Sequence, residues 1–302
     1  MAPPRQPPEL IDDAVAEILL RIPPDEPADL FRASLVCKLW LRIACDPAFL
    51  RRYRAFHRGA PLLGFFYRVR CPSRSPLFIP TTAASPSLRP PAYDDHNWLV
   101  VDCRHGRVLL RNRKSDKTSF SLWDPITGSR DELPPLDIWC TLYSAVVLCA
   151  VAGCDHRDCH GGPLLVVCVG NGYGGKAVRA FSKIDLPGMY GKEVLMQNED
   201  GSLGFAGVSG SRLHLWSRMV NPEGVTGWLQ QRVIKLKISP KAFAFGFAEG
   251  AGVFFMSTKA GAFTIEPKSG RVRRAGESRD YCAFFPFISF FTPGTAPAFA
   301  CL

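Results

Sequence analysis

Residues 10–57 read LIDDAVAEILLRIPPDEPADLFRASLVCKLWLRIACDPAFLRRYRAFH, and this is where the chain carries a helical period. Ile11, Val15, Ile18, Leu19 and Ile22 recur at three- and four-residue spacings, which lines them along one face of a helix. Asp12 is expected as its N-cap, with Asp13 adding negative charge where a helix N-terminus is positive. Pro23-Pro24 stops the segment, because proline restricts the residue before it and cannot donate a backbone hydrogen bond. A second stripe, Leu30, Ala33, Val36, Cys37, Trp40 and Ile43, predicts another helix. The third start is the sharpest: Asp46 as N-cap, Pro47 at the first helical position, then Ala48, Phe49, Leu50 and Tyr53.

Three short helices in roughly 50 residues bury little area by themselves, so such a unit is marginal alone. Its stripes are also wide. Leu10, Ile11, Ile18, Leu19, Ile22, Leu30, Trp40 and Phe49 together exceed what so small a core can hide. Part of that surface therefore calls for a protein partner. Packing on the chain's own C-terminal part is the alternative.

These residues resemble an F-box, and in particular the F-box of large plant families. The matching elements are Glu17-Ile18-Leu19, Arg21-Ile22-Pro23, Leu30, Ala33-Ser34-Leu35-Val36-Cys37-Lys38, Trp40 and the Asp46-Pro47-Ala48-Phe49 extension. The chain departs at Ile11, where the family places a proline after its opening leucine, here Leu10. The resemblance implies docking to a Skp-type adaptor, and through it to a cullin–RING ubiquitin ligase. By similarity, Leu10, Ile11, Ile18, Leu19, Ile22 and Pro23 lie at or near that interface. Leu30, Val36, Cys37 and Trp40 either contact the adaptor or support the residues that do.

After Gly59 the pattern changes to short strands and tight turns. Trp98 to Cys103 and Arg107 to Arg111 read as strands around a turn at Arg104-His105-Gly106, and Thr118 to Trp123 follows a charged loop. Asp124-Pro125-Ile126-Thr127-Gly128 then turns the chain, and Glu266-Pro267-Lys268-Ser269-Gly270 repeats that acidic-Pro-x-hydroxyl-Gly pattern. A third unit, Ser202 to Leu236, has strands flanking Asn221-Pro222-Glu223-Gly224. Multi-strand units recurring at roughly 40 residues suggest propeller blades. HGRVLL, LWDPITG and GVFFMSTKAGAFTIEPKSGRV resemble the F-box-associated propeller-like domains of the same plant proteins. About five units can be marked, and 179–197 is short for a blade, so the ring is expected to be incomplete or irregular. The expected class is α+β: a three-helix head over 1–58 and a β-rich, propeller-like body over 59–302.

Composition narrows the function. The 302 residues carry a formal charge of +10, with nine Lys/Arg against eight Asp/Glu in 1–58 and 28 against 19 in the remainder. A basic surface attracts nucleic acid or acidic proteins, and Arg104, Arg111, Arg113, Lys114 and Lys117 could form such a patch. Here, though, basic residues are scattered through strand-like segments, as on solvated strand faces. Eleven cysteines, an odd number and several inside apolar runs, suit a reducing compartment, cytoplasm or nucleus. No apolar run approaches the roughly 20 residues that span a bilayer.

Catalytic and metal chemistry has thin support. Cys154, His156, Cys159 and His160 fall within seven residues, a zinc-like set, but they sit where a polar hairpin loop is expected and no second cysteine pair has ligand spacing. Gly170 to Gly175 superficially resembles a phosphate-cradling loop, yet no helix pattern and no Gly-Lys-Ser/Thr follow, so a flexible turn is expected. No catalytic, cofactor or metal residue is assigned. The expected role is substrate recognition within an F-box ubiquitin ligase, as an adaptor and not an enzyme, with an unknown target. The alternatives are a basic β protein that binds nucleic acid or an acidic partner, and a degenerate F-box relative without a target.

Overall fold

Ile11 begins the first helix of a computed structural model that describes residues 11–69, 77–81, 98–112, 118–135, 140–151, 154, 162–172, 192–198, 200–224, 226–237, 242–248, 252–276 and 281–295. The chain divides into two compact units. One comprises 1–61 together with 290–302, and the other runs from Leu62 to Ser289.

In the first unit four helices stand where three were expected: α1 (Asp12–Leu20), α2 (Pro27–Ser34), α3 (Lys38–Cys45) and α4 (Pro47–His57). The stripe from Leu30 to Ile43 is split at Leu35–Cys37. Ser34 ends α2 by donating its hydroxyl to the Phe31 carbonyl at 2.7 Å, a bond that competes with the helical ladder. Cys37 then adopts an extended backbone that no helix continues through. At α1 the N-cap is Ile11, without a side-chain cap bond, so Asp12 is the first helical residue instead. Asp12 accepts from Arg42 of α3 at 2.9 Å, an exposed pair worth little by itself. The α4 start follows the sequence reading: Asp46 accepts from Ala48 N–H at 2.7 Å and Phe49 N–H at 3.0 Å, with Pro47 next in line.

The core of this unit joins Val15, Leu19, Leu20, Leu30, Phe49, Tyr53 and Phe290, with Ile22, Ala33, Trp40, Ile43 and Leu50 packed around it. Two residues of α4 also close the end of α1. Tyr53 Oη donates to the Ile22 carbonyl at 2.8 Å, and His57 Nε2 lies 2.9 Å from the Leu20 carbonyl. Those oxygens belong to the last turn of α1 and beyond, where the helix itself offers no partner.

The second unit is β-rich and propeller-like. Four antiparallel meanders succeed one another. They are β3 (Trp98–Arg104), β4 (Arg107–Asn112), β5 (Phe120–Trp123) and β6 (Arg130–Glu132); then β7 (Cys140–Cys149) and β8 (Leu164–Gly172). The third holds β9 (Lys192–Gln197), β10 (Leu203–Ser209), β11 (Arg212–Val220) and β12 (Thr226–Lys235), and the fourth β13 (Ala242–Ala248), β14 (Val253–Thr258), β15 (Gly261–Glu266) and β16 (Arg271–Gly276). A further sheet, in the order β17-β1-β2, pairs β1 (Leu62–Val69) and β2 (Leu77–Pro80) with β17 (Tyr281–Ile288) from the far end of the unit. The first strand of each meander touches the first strand of the next, from β3 to β7, β9, β13 and β17, and β17 returns to β3.

Burial explains why this pattern produces sheets stacked face to face. On β7, Ala145 and Val147 join a core with Leu109, Phe120 and Cys168, whereas Val146 and Leu148 join one with Leu195 and Phe205. Successive side chains point to opposite faces, and both faces are covered, so β7 reads as an unbroken apolar run. The third and fourth meanders share Ala206, Leu213, Phe247, Phe254, Met256 and Ile265. Both acidic-Pro turns take the same form. Gly128 N–H donates to the Asp124 carbonyl, and Gly270 N–H to that of Glu266, each at 2.8 Å. Each glycine has positive φ, 76° and 70°, a region that disfavours side chains. Gly170 to Gly172 lie inside β8, which corrects the expectation of a flexible turn there, because Leu142, Thr141 and Cys140 pair with them. Tyr173 to Gly175 lie outside the described residues, as does all of 179–191.

Candidate adaptor-docking surface

The residues expected at an adaptor interface separate into two groups. Leu19 and Leu30 are in the core of the helical unit, and Ile22 and Trp40 pack against that core with part of their surface open. Ile11, Ile18, Pro23, Val36 and Cys37 are exposed. Leu10 lies outside the described residues.

The exposed group is apolar well beyond what single surface residues usually show. Ile11 and Ile18 are 70% and 46% exposed, seven residues apart and therefore on one face of α1. Leu35 and Val36, at the break between α2 and α3, are 63% and 66% exposed, with Cys37 beside them. Leu35 is not in the expected set. It falls off the apolar stripe read over 30–43, so spacing gave it no part in a buried or docking face, whereas the structure exposes it at the break after Ser34. The signal available in the sequence was Ser34, a residue that favours helix ends.

Helix packing and ion pairs hold these positions. α3 packs on both α1 and α2. Arg52 of α4 pairs with Glu17 of α1, and Glu17 also lies 3.5 Å from Arg21. Burial raises the Cys45 thiol pKa, and it pushes the Tyr53 phenol up strongly, with Asp25 adding to the effect.

Residues 16–56 match the family model described as F-box-like. Residues 16–56 are an F-box-like domain. The matched segment runs from Ala16 on α1 to Phe56 on α4, so the F-box-like domain contains the Leu35–Cys37 break and every core residue of the helices except Val15. Among solved structures, the crystal structure of TolB from Acinetobacter baumannii is similar at 10% identity, with a TM-score of 0.38. That similarity spans 78% of this chain and 60% of the TolB chain. No curated protein sequence matches the chain.

Other candidate sites resolve differently. Arg104 does not contribute to a basic surface patch. It is 5% exposed, its Nε lies 3.3 Å from Asp102, and it donates to the Leu195 carbonyl of β9. Asp102 in turn accepts from Val147 N–H of β7 at 2.8 Å, and Arg104 lies over the Phe247 ring of β13 at 5.9 Å. The pair is thus a buried tie between four strands. Arg113, Lys114 and Lys117 lie outside the described residues. Arg271, Arg273 and Arg274 are exposed along β16, the outer strand of its sheet, where cations discourage edge-to-edge pairing. Of the Cys154 to His160 cluster only Cys154 is described. Among the described residues no three metal-binding side chains converge, and no helix is long and apolar enough to cross a membrane.

Proposed function

We propose that this chain is the substrate-recognition subunit of a Skp–cullin–F-box ubiquitin ligase. The observation that carries it is the exposed apolar set Ile18, Leu35, Val36 and Cys37 on the F-box-like domain, with Ile11 just before it, while other apolar side chains of the same helices share a packed core. Burying such side chains at an interface contributes roughly 1.5–3 kcal/mol each. Leu19 and Leu30 act from beneath by holding α1 and α2, while Ile22, Pro23 and Trp40 border the interface; Leu10, outside the described residues, is proposed as a further contact. Kinship with plant F-box proteins, a helical docking domain over 1–58 and a recognition domain over 59–302 are part of the same proposal. So is residence in the cytoplasm or nucleus, where such ligases work.

The mechanism needs no catalytic group. Docking fixes one end of the chain to the ligase, and the β body holds a target protein near the charged conjugating enzyme. A bimolecular encounter becomes an intramolecular one with a raised effective concentration.

Co-purification of the intact chain with a Skp-type adaptor tests the reading. Ile18→Asp and Val36→Asp, both at exposed positions, should abolish capture while leaving far-ultraviolet ellipticity and thermal unfolding unchanged. Capture that survives both substitutions would sink the proposed surface. Leu19→Asp is no substitute, because a charge at that fully buried position unfolds the domain.

A further inference from the structure

The helical unit contains one element that is remote in sequence. Phe290 is 5% exposed and sits in the same core as Val15, Leu19, Leu20, Leu30, Phe49 and Tyr53. Its ring meets Tyr53 edge-on at 6.1 Å, and the neighbouring Phe291 lies 4.9 Å from Phe31 of α2. The segment then closes on itself. Thr292 N–H donates to Thr295 Oγ1 at 3.1 Å, and Thr295 N–H donates to the Thr292 carbonyl at 3.0 Å. Inside that turn, Gly294 lies flush against the helices: a Cβ there would meet Leu50 Cδ1 at 2.8 Å and the Cys45 backbone at 3.1 Å.

We propose that docking competence is conditional on the return of the chain: Phe290–Thr295 completes the helical core, so the F-box-like domain is held together only when this segment is seated on its helices. The conditional part rests on the docking reading above. Four helices of eight to eleven residues are too short to be stable without tertiary packing, and Phe290 supplies a large aromatic share of that packing. Ser289 alone separates Phe290 from β17, the strand that joins the two ends of the β unit. A chain that stops short of Phe290 therefore lacks both the end of its β unit and a residue its docking domain needs. A ligase subunit that could dock before its recognition body existed would occupy adaptor to no purpose. This arrangement prevents that.

The test uses the full chain with Phe290→Ala, Phe290→Leu or Gly294→Val, followed by amide hydrogen exchange. Phe290→Ala should speed exchange in α1 and α4 by roughly a hundred- to a few thousandfold, the range expected for emptying a large aromatic site. Phe290→Leu should restore most of the protection. Gly294→Val should speed exchange at the start of α4 and the end of α3, with β10 and β11 unaffected in all three variants. Adaptor affinity should fall in proportion to the fraction of docking domains left unfolded. Unchanged exchange in α1 and α4 in both Phe290→Ala and Gly294→Val overturns the proposal. Adaptor affinity equal to that of the parent chain, measured in urea at a concentration where α1 and α4 of Phe290→Ala are mostly open, overturns the conditional docking. If exchange rises as expected but the parent chain captures no Skp-type adaptor, it is the ligase reading that fails, and the dependence of the helical core on Phe290 stands.

Discussion

Tyr53 is where sequence and structure meet most closely at the scale of one residue. Its place on the apolar stripe of α4 is expected from spacing, and it lies there at 1% exposure. Its hydroxyl has a second use that a stripe cannot show, donating to the Ile22 carbonyl just beyond α1. Burial raises its pKa well above the ordinary phenol value of about 10, which makes the stability of the helical unit sensitive to alkali. Below about pH 10 the phenol keeps its proton in folded and unfolded chains alike, and its contribution is whole. Above that, the unfolded chain releases the proton first and stability falls as the pH rises. Urea unfolding followed by far-ultraviolet ellipticity should show that fall in the parent chain and a weaker one in Tyr53→Phe. At neutral pH the same substitution should cost about 1 kcal/mol for the lost hydrogen bond.

Among elements, strand β3 shows how a sequence reading of charge can mislead. Arg104 sits in a run of basic residues, and nothing local distinguishes it from Arg107 or Arg111. The distinction comes from what covers this end of β3: Leu195 of β9 and Phe247 of β13 meet Arg104, and Val147 of β7 meets its partner Asp102. Such cover comes from strands remote in sequence, so it is not legible in one segment. The pair predicts an asymmetry of energies. Arg104→Met alone strands the buried Asp102 carboxylate and should cost about 3–5 kcal/mol in urea unfolding. Adding Asp102→Asn removes the charge but keeps an oxygen for Val147 N–H, so the double variant should be more stable than Arg104→Met. Equal stabilities would show that the carboxylate is not held by Arg104. The helices teach the complementary point. The α4 start was readable because an Asp-Pro cap is decided within three residues. The split at Leu35–Cys37 was hidden because apolar spacing survives a short break in the helix.

For the whole molecule, most of the class was legible: a helical head, then strands and turns in repeated units forming a propeller-like body. The abundance of phenylalanine was visible but not its place. The structure puts much of it along the closing sheet, where Phe66 contacts Phe78, Phe287 and Trp123 with ring centroids 5.0–5.6 Å apart. Phe65 likewise meets Phe255 at 5.1 Å. The return of Phe290 to the helices was not legible at all. No periodicity links residues more than 230 positions apart, and FISFF looks like any other strand end. On the candidate docking surface, the exposed members were named except Leu35, and the buried ones were named alongside them. Apolar spacing ranks residues by hydrophobicity and cannot say which face a partner will cover.

The closing sheet has one more consequence. Leu62, the first residue of β1, is paired directly with Ile288, the last of β17. The N-terminal segment before Leu62 and the C-terminal segment after Ile288 are therefore two extensions that leave the β unit from neighbouring backbone positions. A hairpin linker such as Asn-Gly could therefore join Ile288 to Leu62 and turn the unit into a continuous loop. New ends could be opened at the exposed Asn221–Gly224 turn. Such a permuted body, without any helices, should retain its strand signature and cooperative unfolding, and aggregation of it would show that the terminal segments are needed. The dependence would then run one way: the helices need the segment that begins at Phe290, while the strands could be rewired to do without the helices.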